Sequence, residues 1–97
     1  MKIKIPRSAK KDFLDSYHFY EAQQQGIGSY FIEALSADIE SLKLYAGIHP
    51  VYFEKYHRLL SKRFPFTVYY QVKDEEILIY AVVDCRRNPA WVREKLQ

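Results

Sequence analysis

The spacing of apolar residues changes once along this chain, and that change limits the folds open to it. Up to Leu42 they recur every three to four positions, as Phe13, Tyr17 and Tyr20, and then Phe31, Leu35, Ile39 and Leu42. Such stripes predict one amphipathic helix over 9–24, with Ser8 as its N-cap, and a second beginning near Ser29. Gly26-Ile27-Gly28 stands between them. So short a connection makes the two helices antiparallel neighbours, an αα-hairpin. Gly47 to Pro50 ends the second helix. From Phe66 onward the period is two: Phe66, Val68, Tyr70 and Val72 alternate with Thr67, Tyr69 and Gln71. That is a strand with one buried face. Ile77 to Val83 is apolar on both faces, as in a strand covered on both sides. Tyr52 to Lys62 reads as a strand of mixed pattern, and Lys73 to Glu76 as a polar turn. Ile3 and Ile5 alternate with Lys2 and Lys4, a short strand stopped by Pro6. Pro89 suits the first turn of a last helix over 90–96.

The order β-α-α-β-β-β-α predicts an α+β fold. An N-terminal strand and an antiparallel αα-hairpin pack on an antiparallel β-sheet of about four strands, with a short C-terminal helix. The expected core is Phe13, Tyr17, Phe31, Leu35, Ile39, Leu42, Val68, Tyr70, Ile79 and Val82. A chain of 97 residues, 48% apolar and 28% charged, has the make-up of one globular domain over 1–97. It buries roughly 60–70% of its unfolded surface, enough for one core, which excludes a two-lobed enzyme with a cleft between domains. The longest apolar run, Ile77 to Val83, is far short of the about 20 residues that span a membrane. Met1 to Pro6 lacks the apolar stretch of a secretory signal, and the single cysteine, Cys85, permits no internal disulfide. The expectation is a cytoplasmic protein with no membrane association.

Charge is unevenly placed. Asp12 to Tyr45 holds six acids and one base, net −5, whereas the rest of the chain is net +8. Lys55, Arg58, Lys62 and Arg63 fall in a stretch without an acid, and Arg86 and Arg87 follow the most apolar strand. Arginine presents a planar fork of donors suited to phosphate or carboxylate. These six are therefore the candidate residues for an anionic partner, with Arg58 and Lys62 on one side of the strand if it continues that far. Pairing with acids such as Glu54 and Asp84 is the structural alternative for Arg58 and Arg63. Nine tyrosines among 97 residues are an excess. Tyr52, Tyr56, Tyr69 and Trp91 are candidate interface aromatics. The three histidines, His18, His49 and His57, lack metal-ligand spacing, and three scattered glycines make no phosphate loop, so neither a metal nor a cofactor is expected.

Together these residues resemble the RelE/ParE superfamily of bacterial type II toxin–antitoxin toxins, closer to its ParE-like, plasmid-stabilisation branch. The resemblance covers nearly the whole chain. It runs through Ser8-Ala9, Asp12, Tyr20, Gly26-Ile27-Gly28, Phe31, Leu42, Pro50 and Arg58. It continues with Arg63-Phe64-Pro65-Phe66, Tyr69-Tyr70, Ile77, Ile79 and Val82, then Arg86-Arg87-Asn88-Pro89 and Trp91. The resemblance implies a growth-inhibiting toxin neutralised by a cognate antitoxin in a hetero-oligomer. ParE-like members poison DNA gyrase. RelE-like members cut messenger RNA on the ribosome, with basic residues at the scissile phosphate and a C-terminal Tyr or His as acid/base. Arg63 and Arg86 or Arg87 match arginine positions of that nuclease branch and are the catalytic candidates under it. After Trp91, however, no Tyr or His follows, which favours the gyrase poison. His57 or Tyr56 could substitute only if the sheet aims it at the same cleft. A non-toxic binding module of the same fold is the remaining alternative.

Overall fold

In the computed structural model of the chain, the described residues are 2–49, 51–52, 55–84 and 94. Arg86, Arg87, Trp91, Glu54, Cys85, the side chain of Tyr52 and the expected last helix, Glu94 apart, lie outside them. The elements in chain order are β1 (Lys2–Lys4), α1 (Arg7–Gln23), α2 (Ile27–Glu40), α3 (Leu42–Tyr45), β2 (Val51–Tyr52), β3 (Tyr56–Leu60), β4 (Phe66–Lys73) and β5 (Glu76–Asp84). The architecture is the α+β arrangement that the two periods predict.

The hairpin is closed by a carboxylate. Glu21, near the end of α1, accepts the backbone N–H groups of Gly26 at 3.0 Å and Gly28 at 3.0 Å. It thus satisfies donors at the start of α2 that have no partner within the helix. Gly26 has φ +93, the left-handed region that glycine enters without a Cβ penalty. Gly28 is needed for a different reason. A Cβ there would come within 2.7 Å of the Tyr17 carbonyl oxygen, so the helices could not approach as they do. At the other end of α1, Pro6 takes the N-cap position and Ser8 lies inside the first turn, which corrects the expected cap. The second helix is also interrupted: Ser41, whose hydroxyl donates to the Asp38 carbonyl, divides α2 from the single turn α3.

The sheet order is β1-β5-β4-β3-β2. The four later strands are antiparallel neighbours, and β1 adds at the edge parallel to β5, with Ile3 opposite Ile77. The sheet is therefore mixed: after β1 the chain runs through the helices and then β2 to β4, and β5 comes back beside β1 in the same direction. Asp74 and Glu75, with φ +51 and +62, form the two-residue connection of β4 to β5. β3 stops at Leu60, so Lys62 is beyond the alternation expected to align it with Arg58. One slip in register shapes β5. Tyr69 pairs with Ala81 but Tyr70 pairs with Ile79, leaving Tyr80 as the extra residue of a bulge. Ile77 and Ile79 before it and Val82 after it face the helices, while Ala81 and Val83 turn to the other side.

Helices and sheet meet in a core of Ala9, Phe31, Leu35, Ile39, Leu42, Phe66, Val68, Tyr70, Ile77, Ile79 and Val82. Eight of the ten expected core residues are among them. Phe13 and Tyr17 are only half-buried, because α1 commits little more than Ala9 to the interior. Tyr56, Tyr69, Ala81 and Val83 make a second buried cluster on the opposite face of the sheet.

Candidate functional site

β1 and the two long helices border a groove of about 990 Å³. Its sides are the half-buried Ile3, Ile5, Phe13 and Ile32, with the exposed Leu14 at the lip. Four of the lining residues are lysines, Lys2, Lys4, Lys10 and Lys43, against a single carboxylate, Glu40. Alternation along β1 produces this directly: Ile3 and Ile5 turn inward while Lys2 and Lys4 stay exposed. Lys4 reaches Glu76 at 3.1 Å and Lys43 reaches Glu40 at 2.6 Å. An apolar slot with a cationic rim suits an amphipathic segment carrying acids. The sequence already showed the Lys-Ile alternation. That it borders a groove depended on β1 joining β5.

The basic candidates are spread over two sides of the sheet. Arg58, on β3, pairs in register with Tyr69 and faces away from the helices. Arg63 lies in the bend after β3 and turns to the helical side, its guanidinium carbon 5.8 Å from the centre of the Tyr30 ring. Phe64 beside it is wedged among Tyr20, Tyr30 and Phe31, with ring centres 5.0–5.4 Å away. The Arg63-Phe64-Pro65-Phe66 run thus anchors the β3–β4 bend onto the helices. Lys55 and Lys62 are exposed at the two ends of β3, and the Lys55 carbonyl accepts from the Gln71 side chain. Tyr56 and Tyr69 are each 6% exposed, their rings committed to the second cluster. Burial, with Tyr80 nearby, pushes the Tyr56 phenol above the usual tyrosine value. Among the described residues, the large aromatics that do face outward are Phe19, Tyr30, Tyr45 and Tyr80.

A cluster that sequence reasoning missed lies under the segment after α3. Tyr70 is fully buried, yet its hydroxyl accepts the Gly47 N–H at 3.1 Å and bonds His49 Nδ1. His57 stacks on the Tyr70 ring, centres 5.1 Å apart, and its Nδ1 meets the His49 carbonyl oxygen at 2.7 Å. Burial, then the neighbouring His57, lowers His49 below the ordinary histidine value, and burial raises Tyr70. The detectable signal was the hairpin register, which sets His57 opposite Tyr70. Tyr56 and His57, being consecutive, face opposite sides of the sheet. Among the described residues, no group of three or more His, Cys, Asp or Glu side chains could hold a metal ion. No described helix is long and apolar enough to cross a membrane.

No curated protein sequence matches the chain. A solved structure titled chromosomal ParDE TA system from P. aeruginosa has a similar fold, with a TM-score of 0.77 and 20% identity over 87% of this chain and 95% of that one. Residues 3–89 match the family described as ParE toxin of type II toxin-antitoxin system, parDE. That match takes in the helical hairpin, β2 to β5 and all of β1 and the groove except Lys2, and by it the chain belongs to the ParE toxin family.

Proposed function

We propose that residues 1–97 act as one cytoplasmic toxin domain that inhibits growth by poisoning DNA gyrase, without bond-breaking chemistry of its own. A cognate antitoxin neutralises it in a hetero-oligomer, seating an acidic amphipathic segment in the groove beside β1. The family match supports the toxin role. One observation carries the choice of a binding mechanism over RNA cleavage. Arg63 turns to the helices and Arg58 to the opposite face, while His57 is stacked on Tyr70 and Tyr56 is buried on the other side. General acid–base catalysis needs the proton carrier within hydrogen-bond reach of the reacting group. Tyr56 lies on the other face of the sheet from Arg63, and the His57 ring is already engaged, stacked on Tyr70 with Nδ1 on the His49 carbonyl oxygen.

Induced expression of the chain alone is expected to arrest bacterial growth, and co-expression of the adjacent small acidic reading frame to relieve it. Purified protein should inhibit supercoiling by gyrase and leave translated messages intact. Transcripts cut at codon positions with gyrase unaffected would establish the RelE-like nuclease instead. Unimpaired growth with antitoxin binding retained would identify a non-toxic binding module. Leu14, 56% exposed at the groove, gives a direct probe of the antitoxin seat. Leu14→Glu puts a like charge against an acidic partner and is expected to weaken antitoxin binding by about tenfold or more, with the melting temperature nearly unchanged.

A further inference from the structure

We propose that His49, Tyr70 and His57 form a proton-operated latch, closed at neutral pH, that ties the segment between α3 and β2 to the sheet. The device is independent of the toxin's target. A phenol hydroxyl has one proton and two lone pairs. Here it accepts the Gly47 N–H at 3.1 Å, and the latch assigns its proton to the contact with His49 Nδ1. In that assignment the nitrogen is bare, and His49 is the neutral ring with its hydrogen on Nε2. His57 Nδ1 meets the His49 carbonyl oxygen at 2.7 Å, and a carbonyl only accepts, so His57 carries its hydrogen on Nδ1. Two side chains from facing positions of β3 and β4 thus grip both ends of the short Gly47–His49 stretch.

His49 takes its second proton on Nδ1, between ring and hydroxyl, and the Tyr70 proton then loses its acceptor within a buried site. His49 is therefore the trigger. Among the described residues, the titratable groups facing it are His57 from β3 and Tyr70 from β4, neither of which supplies a negative charge at neutral pH. The lowered proton affinity of His49 agrees with a ring held neutral. The stretch it secures carries Ile48, 71% exposed, and leads into β2 at the sheet's far edge. Opening the latch loosens that edge from β3.

Hydrogen exchange of the whole chain, followed by NMR at about pH 7.5 and about pH 5 and corrected for intrinsic rates, tests this with Gly47 N–H compared against Val68 N–H in the core. Gly47 protection is expected to fall about tenfold or more in acid, and Val68 protection by less. His49→Asn offers an acceptor that does not titrate and should keep Gly47 protected at both pH values. Tyr70→Phe retains the ring and should leave Gly47 weakly protected at both. Ring nitrogen shifts should report the Nε2–H form of His49 at neutral pH. Unchanged Gly47 protection in the wild type, a pH response that survives in His49→Asn, or an Nδ1–H form of neutral His49 would each overturn the latch. If Tyr70→Phe does not fold, the His49→Asn comparison and the tautomer measurement decide.

Discussion

Gly28 sits where α1 and α2 touch, and the room beside it is already taken. A Cβ there would lie 2.7 Å from the Tyr17 carbonyl oxygen and 2.9 Å from Glu21 Cβ. Neither is the loose end of a side chain, so the helices must part. Gly28→Ala is expected to cost about 1–3 kcal/mol in urea denaturation, with the Glu21 bond to Gly28 weakened as the hairpin opens. The glycines themselves announced a reversal in the sequence. The reach of Glu21 back to them did not, because it depends on where the preceding helix ends. Arg63 gives the second prediction at this scale. Its contact with Tyr30 is a cation–π stack at an exposed site, worth about 0.5–1 kcal/mol. Arg63→Ala should therefore lower the melting temperature only slightly, yet reduce growth arrest strongly if the guanidinium contacts the target. Arg63→Lys should rescue in part, since one ammonium lacks the fork. Loss of toxicity merely in proportion to loss of stability would mark Arg63 as a structural residue.

Among the elements, the β4–β5 hairpin is locally strained. Asp74 and Glu75 both hold positive φ, at +51 and +62, in a turn of the kind that favours Asn-Gly. Glutamate has no side-chain bond to offset that conformation, and Glu75→Gly is expected to stabilise the chain by about 0.5–1 kcal/mol, read as a raised melting temperature. Polarity alone made this turn legible, and so did the alternation of β4. The strand β5 was legible only in outline. Ile79 and Val82 both belonged in the core, but a spacing of three is impossible on an unbroken strand, and the bulge at Tyr80 that reconciles them has no local signature. The early end of β3 was missed for a similar reason: Ser61 N–H bonds the Phe66 carbonyl at 2.8 Å, closing the bend before Lys62. For the candidate site, the basic residues were visible as residue types. Their division between two faces followed from that early stop and from the packing of Phe64 against the helices.

For the molecule as a whole, the half-buried His49 sets a pH dependence. His49 binds a proton less readily in the fold than its ordinary value of 6.5, so the unfolded chain protonates first as pH falls. The His49 contribution to stability is then present above about pH 6.5, declines as pH drops below it, and levels off once the folded form also takes the proton. Urea midpoints measured across that range should fall with acid in the wild type and fall less in His49→Asn. The sheet order has a consequence of another kind. Among the described strands, β1 is the first to leave the ribosome, and its hydrogen-bonding partner β5 is the last. No groove exists beside β1 until β5 is available to receive it, because Ile3 and Ile5 have no place before then. A nascent chain therefore cannot present this groove until residues 76–84 have emerged. If the groove is the antitoxin's seat, as proposed, capture has to wait for β5 as well, and the interval before it is one in which synthesis alone gives the antitoxin nothing to hold.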